Sequence, residues 1–272
     1  MGNVTQDIVR ADRVSYADMV EAIDSVGNAF ISQLCVLHPN DGERPVPQLE
    51  WTVAETAVHM LTIVRRGLGD RRRSETIPGL AVLNDECIAE VGTRVPLEIA
   101  DALTEDKARL IRILRGQTAE FARERSFPLH AGLLTDIPTA LSYMLFDFLA
   151  HGLDIARGIG QEWQIRPEDA ALALRACLPA LGPWAKEEVV NGPAQEIALS
   201  FPGDGDPLVI QVGDGSYAAQ SYGITSSDNP PEMAVEVVSI EVDPVDAFLA
   251  VAGRASTRDP HVARLAGWFD PI

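Results

Sequence analysis

The hydrophobic pattern of this chain changes character at Gly158-Ile-Gly160. Before that point, apolar residues recur near the helical period over long segments. After it, short apolar runs are punctuated by Gly, Asp and Pro, the texture of strands joined by turns. A chain written this way folds as two parts, helical first and mixed second. At 272 residues it is long enough for each part to bury a core of its own.

Residues 1–160 read as a four-helix bundle. Val14, Met19, Ile23, Val26, Phe30, Leu34 and Leu37 mark an inner stripe over residues 11–37, and the Pro- and Gly-rich stretch 38–50 is a loop. A second helix opens at T52-V-A-E55, where a Thr followed three residues later by Glu forms a capping box, and it ends around Gly67–Gly69. A third is expected from Pro96 to Arg125, with Ile99, Leu103, Ala108, Ile111, Leu114 and Phe121 facing inward. The fourth begins beside Pro138, suited to a first turn, and ends at Gly160.

Residues 161–272 read as a smaller α+β domain with an antiparallel sheet. A helix fits the segment from Arg166 to about Leu181. Strand-like runs follow at 196–201, 207–213, 216–222 and 233–242, separated by GDGD, GDG and SSDNPPE turns. A helix from about Pro244 to Ala252 and another in the tail HVARLAGWF complete it. The glycine-rich turns lack the strand-to-helix context of a phosphate loop.

The formal net charge is −18, divided as −7 over residues 1–160 and −11 over 161–272. Such a surface repels phosphate backbones and anionic lipid, so neither nucleic acid nor a membrane is expected as partner. Cys35, Cys87 and Cys177 are odd in number and widely spaced, which fits a reducing cytoplasm better than a disulfide framework. No signal peptide or membrane span is visible, and a cytoplasmic protein is the expectation.

The chemistry concentrates on two helices. His59 lies in W51-T-V-A-E-T-A-V-H59, and D147-F-L-A-H151 places Asp147 and His151 four apart on one helical face. A carboxylate and two imidazoles from facing helices make a three-ligand metal site that keeps open positions, as catalytic zinc sites do. Each element alone has a plainer reading. A lone His is commonly a core or surface residue, and D-x-x-x-H is commonly a helix ion pair. The setting favours the metal: Tyr143, Asp147, His151 and Asp154 form a polar stripe in an otherwise apolar helix, where charge needs a compensating cation or exposure to solvent. Asp154, one turn on, is spaced to accept the second ring N–H of His151, and reads at least as well as a solvated acid near the helix end. Glu55 is explained by the capping box, and His38, His130 and His261 have no partner at ligand spacing. The Arg71-Arg72-Arg73 run reads as a solvated helix end or a contact for an anion.

The stretches W51–H59 and D147-F-L-A-H151-G-L-D154 resemble the mycothiol-dependent maleylpyruvate isomerase family of the DinB-like metalloprotein superfamily. The resemblance implies a DinB-like four-helix bundle holding a divalent metal, usually zinc, through His59, Asp147 and His151, followed by a sterol-carrier-like α+β domain. It also implies that Arg254, in the segment D246-A-F-L-A-V-A-G-R254, anchors substrate. The family commonly has Glu where this chain has Asp147, a ligand one methylene shorter.

What the resemblance implies chemically is a metal-bound thiolate, from mycothiol, attacking a small electrophilic substrate: addition and elimination would isomerise a double bond, and displacement would make the protein an S-transferase. Two other readings stand beside it. A metal could activate water instead of thiol, giving a hydrolase. Alternatively the chain is a non-catalytic protein binding metal or a small apolar ligand. A requirement for added thiol separates the first from the second, and metal-free protein retaining ligand marks the third.

Overall fold

The computed structural model describes residues 8–11, 14–202, 206–221 and 239–270. The chain separates into two compact units, one built mainly from Ser15–Ile165 and the other mainly from the described residues after Arg166.

The first unit is a helical bundle. Its frame is α1 (Tyr16–Cys35), α2 (Val53–Gly67), α4 (Pro96–Arg115) and α6 (Ile137–Ile159). Helices α1 and α2 each pack against both α4 and α6, so the pairs α1/α2 and α4/α6 lie on the diagonals of a four-helix square. The core between them holds Met19, Ile23, Phe30 and Leu34 of α1, Met60 and Leu61 of α2, Ile99 and Leu103 of α4, and Phe148 of α6. Phe30 and Phe148 meet edge to face with centroids 5.5 Å apart, the geometry favoured by the ring quadrupoles.

Caps set the ends of these helices. Ser15, Thr52 and Asp136 each accept a backbone N–H of the first turn of α1, α2 and α6. Gly160 closes α6 in the left-handed conformation, φ 73°, which glycine adopts without a Cβ penalty. Two features differ from expectation. The helix expected over Pro96–Arg125 is broken after Arg115: Gly116 ends α4, and Thr118 caps a separate short helix α5 (Ala119–Glu124). Ala108 and Phe121 are exposed, and the stem of Lys107 takes the inward position instead. A helix α3 (Ile77–Glu90), not foreseen, packs on α2, and a two-residue ladder β1 (Phe127–Pro128) with β2 (Leu134–Thr135) leads into α6.

The second unit contains α7 (Pro167–Cys177), a short α8 (Glu187–Val190), the strands β3 (Gln195–Ser200), β4 (Leu208–Gly213), β5 (Ser216–Ser221) and β6 (Ser239–Glu241), then α9 (Pro244–Val251) and α10 (Pro260–Ala266). Strand order is β5-β4-β3-β6. The β4–β5 hairpin turns on Asp214-Gly215, both at positive φ, the two-residue turn whose twist matches that of the strands. The sheet is mixed rather than antiparallel: β6 runs parallel to β3, with Leu199 opposite Ile240. Most of the run expected as strand at 233–242 lies outside the described residues. Ile197, Leu199, Leu208 and Ile210 of the sheet are buried, as are Ala173 and Leu174 of α7 and Phe248 of α9. None of the described helices is long and apolar enough to cross a membrane.

Candidate active site

Helix α2 begins with its expected capping box. Thr52 Oγ1 accepts from the Glu55 N–H at 3.3 Å, and the Glu55 carboxylate accepts from the Thr52 N–H at 2.8 Å and from its hydroxyl at 2.9 Å. Glu55 is thereby committed to the helix end. One turn on, His59 is buried. Helix α6 brings up His151, also buried, so that the two imidazoles stand perpendicular with centroids 5.1 Å apart.

The two rings are held differently. His151 Nδ1 lies 3.0 Å from Oδ2 of the buried Asp154. That contact makes Nδ1 the protonated nitrogen and leaves the Nε2 lone pair as the basic one. His59 Nδ1 is buried and has no hydrogen-bond partner among the described residues. Burial pushes the His59 pKa well below the usual histidine value, and the Arg66 guanidinium on the same helix adds to the effect, so the ring stays neutral. Trp51, just before the capping Thr52, lays its indole 4.8 Å from the His59 ring and 6.2 Å from that of His151, and its Nε1 donates to Asp85 of α3 at 3.0 Å.

Asp147 is half-buried on α6, one turn before His151. Among the described residues no group of three His, Cys, Asp or Glu side chains is gathered as a metal-ion site. Two of the three expected ligands, His59 and His151, thus sit side by side. Gly152 admits the Trp163 ring against α6 beside His151; a Cβ there would lie 2.4 Å from the indole.

Two turns beyond His59, on the same helix, Arg66 is buried. Its Nη2 donates to Asn84 Oδ1 at 2.9 Å and to Cys87 Sγ at 3.7 Å, and its Nη1 lies 3.4 Å from His130 Nε2. The Arg66 Nε is buried without a partner. His130 Nδ1 accepts from the Ser74 N–H at 3.1 Å. Burial, reinforced by Arg66 and Arg73, lowers the His130 pKa to about 4. Sequence reasoning passed over this corner. The one signal for it was the seven-residue interval from His59 to Arg66, two turns on one helix.

The arginine run is used within the protein. Arg72 grips Asp70 at 2.6 Å and Glu90 at 2.6 Å, and its hydrogen bonds hold the Asp70 carboxyl at about 2. Arg73 donates to the carbonyls of Pro128 and Asp70. In the second unit, Arg254 is buried just past α9, and its Nη1 donates to the Ala252 carbonyl at 2.6 Å.

No family model matches the chain, and no curated protein matches it in sequence. Among solved structures it is similar to the crystal structures of the mycothiol-dependent maleylpyruvate isomerase and of a histidine-to-alanine mutant of it. Each is 14% identical with a TM-score of 0.53, over 92% of this chain and 93% of that one. At such identity the likeness is one of fold, and over nearly its whole length this chain has the fold of that isomerase.

Proposed function

We propose that the chain is a thiol-dependent isomerase or S-transferase for a small electrophilic substrate, with mycothiol as the thiol and a divalent metal, zinc by its donor set, held by His59, Asp147 and His151. One observation carries the reading: a buried imidazole, His59, keeps a nitrogen without a partner beside a second imidazole whose orientation a carboxylate fixes. Neutral imidazole nitrogens and a carboxylate oxygen are the donors zinc takes. The likeness in fold to a mycothiol-dependent enzyme supports the choice of thiol.

The chain's own residues have definite tasks in this reading. Asp154 holds the His151 proton on Nδ1, so that Nε2 presents its lone pair. Burial keeps His59 unprotonated and able to donate its lone pair at neutral pH. The Trp51 indole lies beside both rings and covers part of their surface. Asp147 supplies the oxygen from the turn before His151. When bound, the metal would supply acidity, deprotonating a coordinated thiol near neutral pH. Arg254 would hold a substrate carboxylate. The bundle would be the DinB-like part, the second unit the sterol-carrier-like part, and the three free thiols, Cys35, Cys87 and Cys177, suit a cytoplasmic setting.

Elemental analysis of protein purified without chelators should find one divalent ion per chain, with His59→Ala, His151→Ala and Asp147→Asn each depleted. Asp154→Asn should weaken metal affinity by about ten- to a hundredfold. Turnover should require an added low-molecular-weight thiol, whereas thiol-independent turnover would make the protein a hydrolase. Wild-type metal content in both histidine variants would defeat the assignment.

A further inference from the structure

The corner formed by Arg66, Asn84, Cys87 and His130 contains more hydrogen-bond donors than acceptors. His130 Nδ1 accepts the Ser74 N–H, so the proton of the neutral ring resides on Nε2. Arg66 Nη1, 3.4 Å from that Nε2, is likewise a donor and has no lone pair to offer. Two N–H groups therefore converge with nothing between them to accept. The buried Arg66 Nε adds a third donor without a partner.

Charge tells the same story. Among the described residues no carboxylate lies within ion-pair distance of Arg66. Asp70 feels the charge of Arg66, but its oxygens are taken by Arg72. The other contacts are an amide oxygen and a thiol, neither of which carries a charge to pair with the guanidinium. A buried, unpaired cation is costly, and a protein keeps one where an anion arrives to meet it.

We propose that Arg66 and the Nε2–H of His130 form a binding site for the carboxylate of a small organic acid. A carboxylate is the planar acceptor that a guanidinium fork matches, and one of its oxygens can take both N–H groups. The carboxylate oxygen accepts from Arg66 Nη1 and His130 Nε2 together, converting a clash of donors into a charge-assisted pair of hydrogen bonds. His130 is half-buried, whereas Arg66 is buried. Asn84 holds the guanidinium in place from the opposite side, 2.9 Å away. This inference does not rest on the metal reading, which concerns His59, two turns earlier on α2.

The test uses the full-length chain with butyrate and its uncharged isostere, butyramide. Butyrate should raise the melting temperature, shift the ring resonances of His130 and raise the pH at which that ring titrates; butyramide should do none of these. Nitrogen NMR of the free protein should show the His130 proton on Nε2. Arg66→Met and His130→Phe should each weaken butyrate binding about tenfold or more, the scale of one charge-assisted hydrogen bond. Arg66→Lys, which keeps the charge but loses the planar fork, should fall between them and wild type. His59→Ala, which tests the metal, should leave butyrate binding in place, so the two readings fail separately. Equal binding of butyrate and butyramide, a proton on His130 Nδ1, tighter binding of inorganic phosphate, or wild-type affinity in folded Arg66→Met or in His130→Phe would overturn the proposal.

Discussion

Two long cations are buried in the same helical bundle, and they are treated in opposite ways. Lys107 of α4 lays its stem across α1 at Gly27, where a Cβ would come within 2.7 Å of it, and its amine bonds the Asp24 carboxylate and, at 3.2 Å, the Asp24 carbonyl. Arg115 closes on the same carboxylate at 2.9 Å. Arg66 of α2 is as well buried, but among the described residues it meets an amide oxygen, a thiol and a histidine that cannot accept from it. The difference teaches how to separate structural charge from functional charge within one fold. Lys107 is complete as it stands and ties two helices together, whereas Arg66 becomes complete only when something binds.

If that contrast is right, the two positions respond differently to removal of charge. Lys107→Met keeps the stem but strips a buried pair, and should cost about 2 kcal/mol of stability in urea unfolding, less than a fully buried pair because Arg115 still faces Asp24. A loss as small as that of a surface pair, a few tenths of a kcal/mol, would erase the contrast.

Acid should weaken the Arg66 corner next. The His130 pKa is about 4 when folded and near 6.5 when unfolded, so between these values the unfolded chain binds more protons. Stability should then be fully present above pH 6.5 and fall as pH drops toward 4. The His130 contribution is about 1–2 kcal/mol once solvent screening of this half-buried ring is allowed for. His59, lowered in the same direction, adds to the trend. Comparing wild type with His130→Phe across that pH range isolates the contribution, and identical profiles would count against it.

The smallest effect is expected at Arg66 itself. Arg66→Met removes an uncompensated charge together with its bonds to Asn84 and Cys87, so thermal unfolding should move by no more than about 1 kcal/mol in either direction. A loss comparable to that at Lys107 would mean that Arg66 is structural too.

What could be read in the sequence depended on whether the signal was local. The Thr52–Glu55 capping box, the first-turn Pro138 and the terminal Gly160 are local, and they delimit α2 and α6 as the residues suggest. The pairing of His151 with Asp154 likewise follows from helical spacing. Helix α3 was invisible because it has almost no buried stripe: only Cys87 and Ile88 are buried, while Val82 is 58% exposed. Lys107 misleads in the other direction, since a lysine reads as an outward residue until Asp24 is known to be opposite. The direction of β6 is absent from its alternation pattern, which is the same for parallel and antiparallel neighbours at an edge. His130 sits in a loop with nothing at ligand spacing, and its meaning comes only from Arg66 and Ser74, more than 50 residues away in the chain.

Helix α2 carries His59 and Arg66 seven residues apart, which places them about 10 Å from each other along its axis. A packed helix neither stretches nor shortens, and this one is pinned at its start by the capping box and along its length by α4 and α6. It therefore works as a ruler. A molecule touching both groups is measured against a fixed span. One that is too short can satisfy either end but not both, and selection by length then needs no moving part.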